Sequence, residues 1–131
     1  TIKLDESKEK IYGLDRLDLN KPVNIVEGPI DSLFLDNCIA MAGADVALKI
    51  PSEQCTMIFD NEPRNEQIVN RMIDAVHKNY KVVIFPQSLK YKDINDMVIH
   101  KKDVGEVSEL IYNNTQKGLS ALQIINNWKR I

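Results

Sequence analysis

Residues 23–31 read VNIVEGPID. Pro22 stands at the entrance of a short β-branched run, Val23 to Val26, which reads as a strand. The next residue is the charged Glu27, Gly28 and Pro29 force a turn, and Asp31 adds a second carboxylate. An apolar strand that ends in a carboxylate and a forced turn carries weight only if the arrangement recurs. It recurs twice. TMIF at 56–59 runs straight into Asp60 and Glu62, and KVVIF at 81–85 is followed after a short loop by KDIND, with Asp93 and Asp96.

Helical patterns lie between these strands. PIDSLFLDN has helical spacing through Ile30, Leu33 and Phe34, with Asn37 as its stop. CIAMAG reads as another buried strand, ending at Gly43. The clearest helix is NEQIVNRMIDAVHKNY, where Ile68, Val69, Met72, Ile73 and Val76 recur with a period near 3.6. The continuous apolar run KVVIF suits a strand covered on both faces. Two further helices are expected near 104–114 and 119–128, separated by Gly118. This alternation predicts an α/β fold with a four-stranded, mainly parallel sheet flanked by helices.

In a parallel sheet the C-terminal strand ends share one edge, where ligands usually bind. Three loops would therefore bring Glu27, Asp60, Glu62, Asp93 and Asp96 to the same edge. Carboxylates gathered in this way repel one another and resist ionisation, so a cation is expected among them. Hard oxygen donors with no His or Cys nearby favour Mg²⁺ or Mn²⁺ over zinc, often in pairs on phosphate oxygens. That chemistry points to metal-dependent phosphoryl or nucleotidyl transfer. The bland alternative for Asp31, Asp93 and Asp96 is a helix cap.

Composition bounds the rest. The 131 residues suit one domain, with lead-in residues 1–10 mostly charged and polar. A net charge of -2 supplies no global positive field for nucleic acid, though a local patch or a basic neighbouring domain could. Cys38 and Cys55 fit neither a disulfide framework nor a zinc spacing and read as small buried hydrophobes. Their use fits a reducing compartment, and no apolar run of bilayer length or signal peptide is recognisable. The chain starts at Thr1 rather than Met, which reads as an excised or processed domain.

The motifs also carry a resemblance. NIVEGPID resembles the Glu-Gly-x-x-Asp motif of TOPRIM domains, which occur in DnaG-type primases, topoisomerases, OLD-family nucleases and RecR proteins. FDNEPRN at 59–65 is similar to the Asp-x-Asp motif of that family, with Glu62 in place of the second Asp. KDIND is similar to the acidic loop often written Lys-Asp-Pro-Asp in DnaG-type primases. IYGLDRLDLNKPVNIVEG at 11–28 resembles the Leu-Tyr-Gly-Leu stretch that leads into the Glu motif there, and DINDMVIHKK completes a pattern most like tailed-bacteriophage primases. The likeness covers roughly residues 11–100. It implies a TOPRIM catalytic core over 11–103 and a helical tail over 104–131.

The resemblance implies that Glu27, Asp60 and Glu62 are the central metal ligands and catalytic residues. Asp93 and Asp96 would be outer ligands or would hold that shell, while Asp31 and Gly28 would support the Glu-bearing loop. Glu27 could instead act in proton transfer. Two departures stand out: Pro29 where bacterial primases often have Tyr, and Glu62, longer than Asp by one methylene and so able to shift the metal by about an ångström.

The reaction implied is synthesis of a short RNA primer from ribonucleoside triphosphates on a single-stranded DNA template during phage replication in the infected bacterial cell. A replicative helicase would be the partner. A zinc-binding domain and a basic N-terminal domain would complete the enzyme, so this chain alone is expected to have little or no activity. The other readings are a TOPRIM nuclease or topoisomerase component, or a replication-assembly module without catalysis.

Several residues stand beside these motifs. Arg64 could fork onto a phosphate or neutralise Asp60 or Glu66. Lys90 and Lys92, with Lys101 and Lys102, could guide template or nucleotide, or simply form a solvated face. His77 and His100 lack a catalytic companion at useful spacing, and Trp128 reads as core.

Overall fold

The structure is a computed structural model, and it describes residues 11–13, 16–41, 50–100 and 103–129. The expected lead-in at 1–10, the strand end at Gly43 and the basic residues Lys101 and Lys102 lie outside the described residues.

Strands β1 (Ile11–Tyr12), β2 (Val23–Val26), β3 (Cys38–Met41), β4 (Cys55–Ile58), β5 (Lys81–Val83) and β6 (Thr115–Gln116) form one sheet in the order β1-β3-β2-β4-β5-β6. The four middle strands are mutually parallel, as expected, and the result is a Rossmann-like α/β fold. The two-residue strands β1 and β6 close the edges antiparallel. They are too short to carry a period in the sequence.

Helices cover both faces. Their ranges are α1 (Pro29–Ser32), α2 (Glu66–His77), α3 (Ile94–Ile99), α4 (Val104–Asn113) and α5 (Gly118–Trp128). Successive side chains of a strand point to opposite faces, and the segment 82–85 shows the consequence. Val82 and Ile84 pack with Met72, Val76, Ile125 and Trp128 beneath α2 and α5. Val83 and Phe85 pack with Ile94, Met97, Val107 and Ile111 beneath α3 and α4. This two-sided burial is why the run is apolar throughout. Trp128 lies in the core, and both cysteines are free and buried, as expected.

α1 is shorter than its apolar spacing suggested. The Ser32 hydroxyl donates to the Pro29 carbonyl at 2.6 Å, offering that oxygen a partner other than the backbone ladder. The chain then turns through to Asn37, which takes a left-handed φ of 45° and ties the turn back by donating from Nδ2 to the Asp18 and Pro22 carbonyls. α2 needs no such help. Asn65 caps it by accepting from the Gln67 and Ile68 amides, and its apolar stripe is buried.

Candidate metal centre

The chain order of the parallel strands reverses direction about β2: the chain leaves β2 for β3 on one side and returns to β4 on the other. A crevice at such a reversal, beyond the carboxyl ends of the strands, is the usual ligand position in open α/β sheets. The register pairs Val26 with Ile58, so β2 and β4 end level with each other. Glu27 follows one strand end and Asp60 the other.

An open cleft of about 390 Å³ occupies this position, lined by Glu27, Asp31, Asp60, Glu62 and Asp93 together with Arg71. Within it, one carboxylate oxygen each from Asp31, Asp60 and Asp93 lie within 4.8 Å of one another. Three oxygens so placed could hold a metal ion. Expected site residues Glu27, Asp60, Glu62 and Asp93 thus share one cleft, and Asp31 stands inside its tightest cluster.

Each loop is held by specific contacts. Gly28 lets the turn close, because a Cβ there would sit 3.1 Å from the Asp31 carboxylate. Asp31 is buried in the first turn of α1 and accepts the Asn95 amide at 2.7 Å, which ties the loop after β2 to α3. Asp93 is the N-cap of α3, accepting the Asp96 amide at 2.8 Å. A carboxylate has two oxygens, so capping and facing the cluster are compatible.

Asp96 is used differently. Its carboxylate accepts the Lys92 amide at 3.2 Å and stands 3.3 Å from His100 Nδ1, and it is not among the residues lining the cleft. Arg64, Lys90 and Lys92 are exposed on the loops around the cleft and do not line it.

Two contributors escaped the sequence reading. Asn61, between the two acids of its motif, donates its amide to the Lys92 carbonyl at 2.6 Å. Its Nδ2 donates to the carbonyls of Leu89 and Tyr91 at 3.1 and 3.0 Å. It thereby fastens the Asp93 loop to the Asp60 loop. Arg71, on the second turn of α2, is paired with Glu27. The signal for it was topological: the helix following β4 must begin beside the strand ends, so polar residues of its first turns face the loops there.

Asn61→Ala is expected to lower stability by about 1–2 kcal/mol, since two loop carbonyls lose their donor. It should also weaken Mn²⁺ binding by roughly tenfold, in the range found for residues that orient ligands. Calorimetric titration of the variant checks this, and unchanged affinity would show that the loop holds its place without Asn61.

The electrostatics agree with the geometry. Burial, reinforced by the negative charges of Glu27, Asp93, Asp31 and Glu62, pushes the Asp60 carboxyl up to about 7. Burial also raises Asp31; the Asn95 amide pulls it back down, and Asp93 and Glu27 add to the rise. Metal binding must expel the retained proton. Mn²⁺ affinity is therefore expected to fall by about tenfold for each pH unit below 7, and to level off above it. Affinity that stays flat between pH 5.5 and 8 would contradict this placement of Asp60.

Among the described residues, no helix is long and apolar enough to cross a membrane. No known protein-family profile matches the chain. It is, however, 33% identical over 135 aligned residues to the DNA primase of Enterobacteria phage T4. That alignment takes in 100% of this chain and 39% of the phage protein, so the chain spans about two-fifths of the relative's length.

Proposed function

We propose, from this relationship to a phage DNA primase, that the chain is the TOPRIM-type, metal-binding catalytic core of a DNA primase. The observation that carries the reading is the meeting of Asp31, Asp60 and Asp93, from three separate segments, at the crevice where the strand order reverses. The donor set is all oxygen, and such hard donors fit Mg²⁺ or Mn²⁺. Asp60 and Glu62 would hold the ion from the loop after β4, with Asp31 and Asp93 closing around it. When bound, the ion supplies Lewis-acid polarisation of phosphate oxygens.

The protein's part is arrangement. Glu27 stands beside the cluster, either as a further ligand or to accept a proton from an attacking hydroxyl. Asp96 supports the loop that carries Asp93. Exposed Arg64, Lys90 and Lys92, on the segments that carry Glu62 and Asp93, would offer positive charge to triphosphate or template backbone. Substrates would be a single-stranded DNA template and ribonucleoside triphosphates, in the cytoplasm of the infected bacterium. A replicative helicase, a zinc-binding domain and a basic N-terminal domain would complete the machine, so the 131 residues alone should make little primer.

The test is template-directed ribonucleotide incorporation on single-stranded DNA, by the chain in the length at which the cell makes it, with and without Mg²⁺ or Mn²⁺. Metal-dependent primers support the reading. DNA cleavage without primer synthesis would replace it with a nuclease, and helicase binding with neither activity would replace it with an assembly module.

A further inference from the structure

The Glu27 carboxylate is not one of the three groups that converge within 4.8 Å, although it lines the same cleft. The reason is visible in its partners. Glu27 Oε2 is paired with the Arg71 guanidinium, and Oε1 lies 3.5 Å from the Asp60 amide. Both oxygens are thus directed at protein donors. Among the described residues that line the cleft, Arg71 is the one cation, set against five carboxylates. It comes from a different element, the second turn of α2, whose apolar stripe through Ile68 and Met72 is locked into the core.

We propose that Arg71 is a positioning residue that competes with the bound cation for Glu27. In its presence Glu27 stays beside the metal cluster, without joining it. This inference rests on the metal-site reading above and adds a role for a residue that reading does not use. The competition follows from charge and reach. A carboxylate beside three others that share an ion would be drawn to that ion, unless a second cation occupies it. A guanidinium can do so, because it is charged at every working pH and offers donors in a fixed fork. By reciprocity, whatever Arg71 withholds from the ion must appear as a lower affinity for it.

The sign of the expected effect separates this role from a structural one. Loss of a residue that merely supports the fold weakens metal binding. Loss of Arg71 should strengthen it, by about tenfold for a unit charge removed at this range and Glu27 released. Arg71→Lys keeps the charge without the fork and should fall between.

The experiment is a Mn²⁺ titration of the chain, following the free-ion resonance by electron paramagnetic resonance. It compares wild type, Arg71→Ala, Arg71→Lys, Glu27→Gln and the double variant Arg71→Ala with Glu27→Gln. Tightening in Arg71→Ala that vanishes in the Glu27→Gln background supports the proposal, because the gain then passes through Glu27. Tightening that persists with Glu27 removed reduces Arg71 to a diffuse charge and overturns it. No tightening, or weaker binding, overturns it as well. A wild-type chain that binds no Mn²⁺ overturns the metal-site reading itself, and is distinguished by needing no variant to see it.

Discussion

Asp60→Asn is expected to make the metal-free protein more stable while destroying its response to metal. The Asp60 carboxyl titrates near 7 in the folded chain against 3.8 for the unperturbed group, chiefly through burial. A raised carboxyl pKa means that the folded state prefers the protonated form. That stabilisation is complete below about 4 and is lost as the pH climbs towards 7. Three pH units would amount to about 4 kcal/mol. The group is only half-buried, so screening by solvent leaves roughly 1–2 kcal/mol. Asparagine carries no charge to be penalised.

At pH 8 without metal, the variant should therefore melt several degrees above wild type. Saturating Mn²⁺ should reverse the order, because an ion that binds only the folded state raises wild-type stability by mass action. The variant should gain almost nothing. Thermal melts with and without Mn²⁺ measure both halves. A variant less stable than wild type without metal would mean that Asp60 is not held among unfavourable neighbours. In the primer-synthesis assay the same change should cost more than the roughly 100-fold typical of residues one step removed from a metal.

The second large effect is at the other end of the chain. Trp128 is 4% exposed and packs with Ile68, Met72, Val76 and Ile125. Trp128→Ala should cost about 3–5 kcal/mol, a large part of the 5–15 kcal/mol that holds a typical domain together. Removing residues 104–131 goes further. It strips Val107 and Ile111 from one face of the sheet, Ala121, Ile125 and Trp128 from the other, and the edge strand β6 with them. The remainder is expected to lose cooperative unfolding in urea, followed by circular dichroism. A sharp transition in the truncated chain would show that the tail is an appendage. Any test of partner binding by the tail should therefore use surface substitutions in place of deletion. The exposed Tyr112 and Leu119 are suitable positions.

The middle of the fold was legible because its signals are long or repeated. α2 shows a helical period over three turns, and the strand-then-acid pattern occurs three times. What the sequence hid is short or doubly used. β1 and β6 have two residues each. α3 was covered by an acidic motif, so its cap and its ligand character competed for one explanation when Asp93 serves as a cap while facing the cluster. The resemblance makes Asp96 an outer ligand and Asp31 a support for the Glu-bearing loop. The structure turns Asp31 into the cleft and Asp96 towards Lys92 and His100. Arg71 sat on a helix face whose polar residues look interchangeable until the strand order is known.

The cluster joins Asp31, Asp60 and Asp93, each supplied by a different segment of the chain. In an unfolded chain these three groups are far apart, about thirty residues separating each from the next. An ion that binds the native centre would find little to bind once the chain opens. Its whole affinity is then added to the folded side of the balance. Cellular proteases act largely on transiently opened molecules, in proportion to how often opening occurs. The divalent ion concentration around this protein would thus govern its lifetime as well as its chemistry, with idle, metal-free copies cleared first.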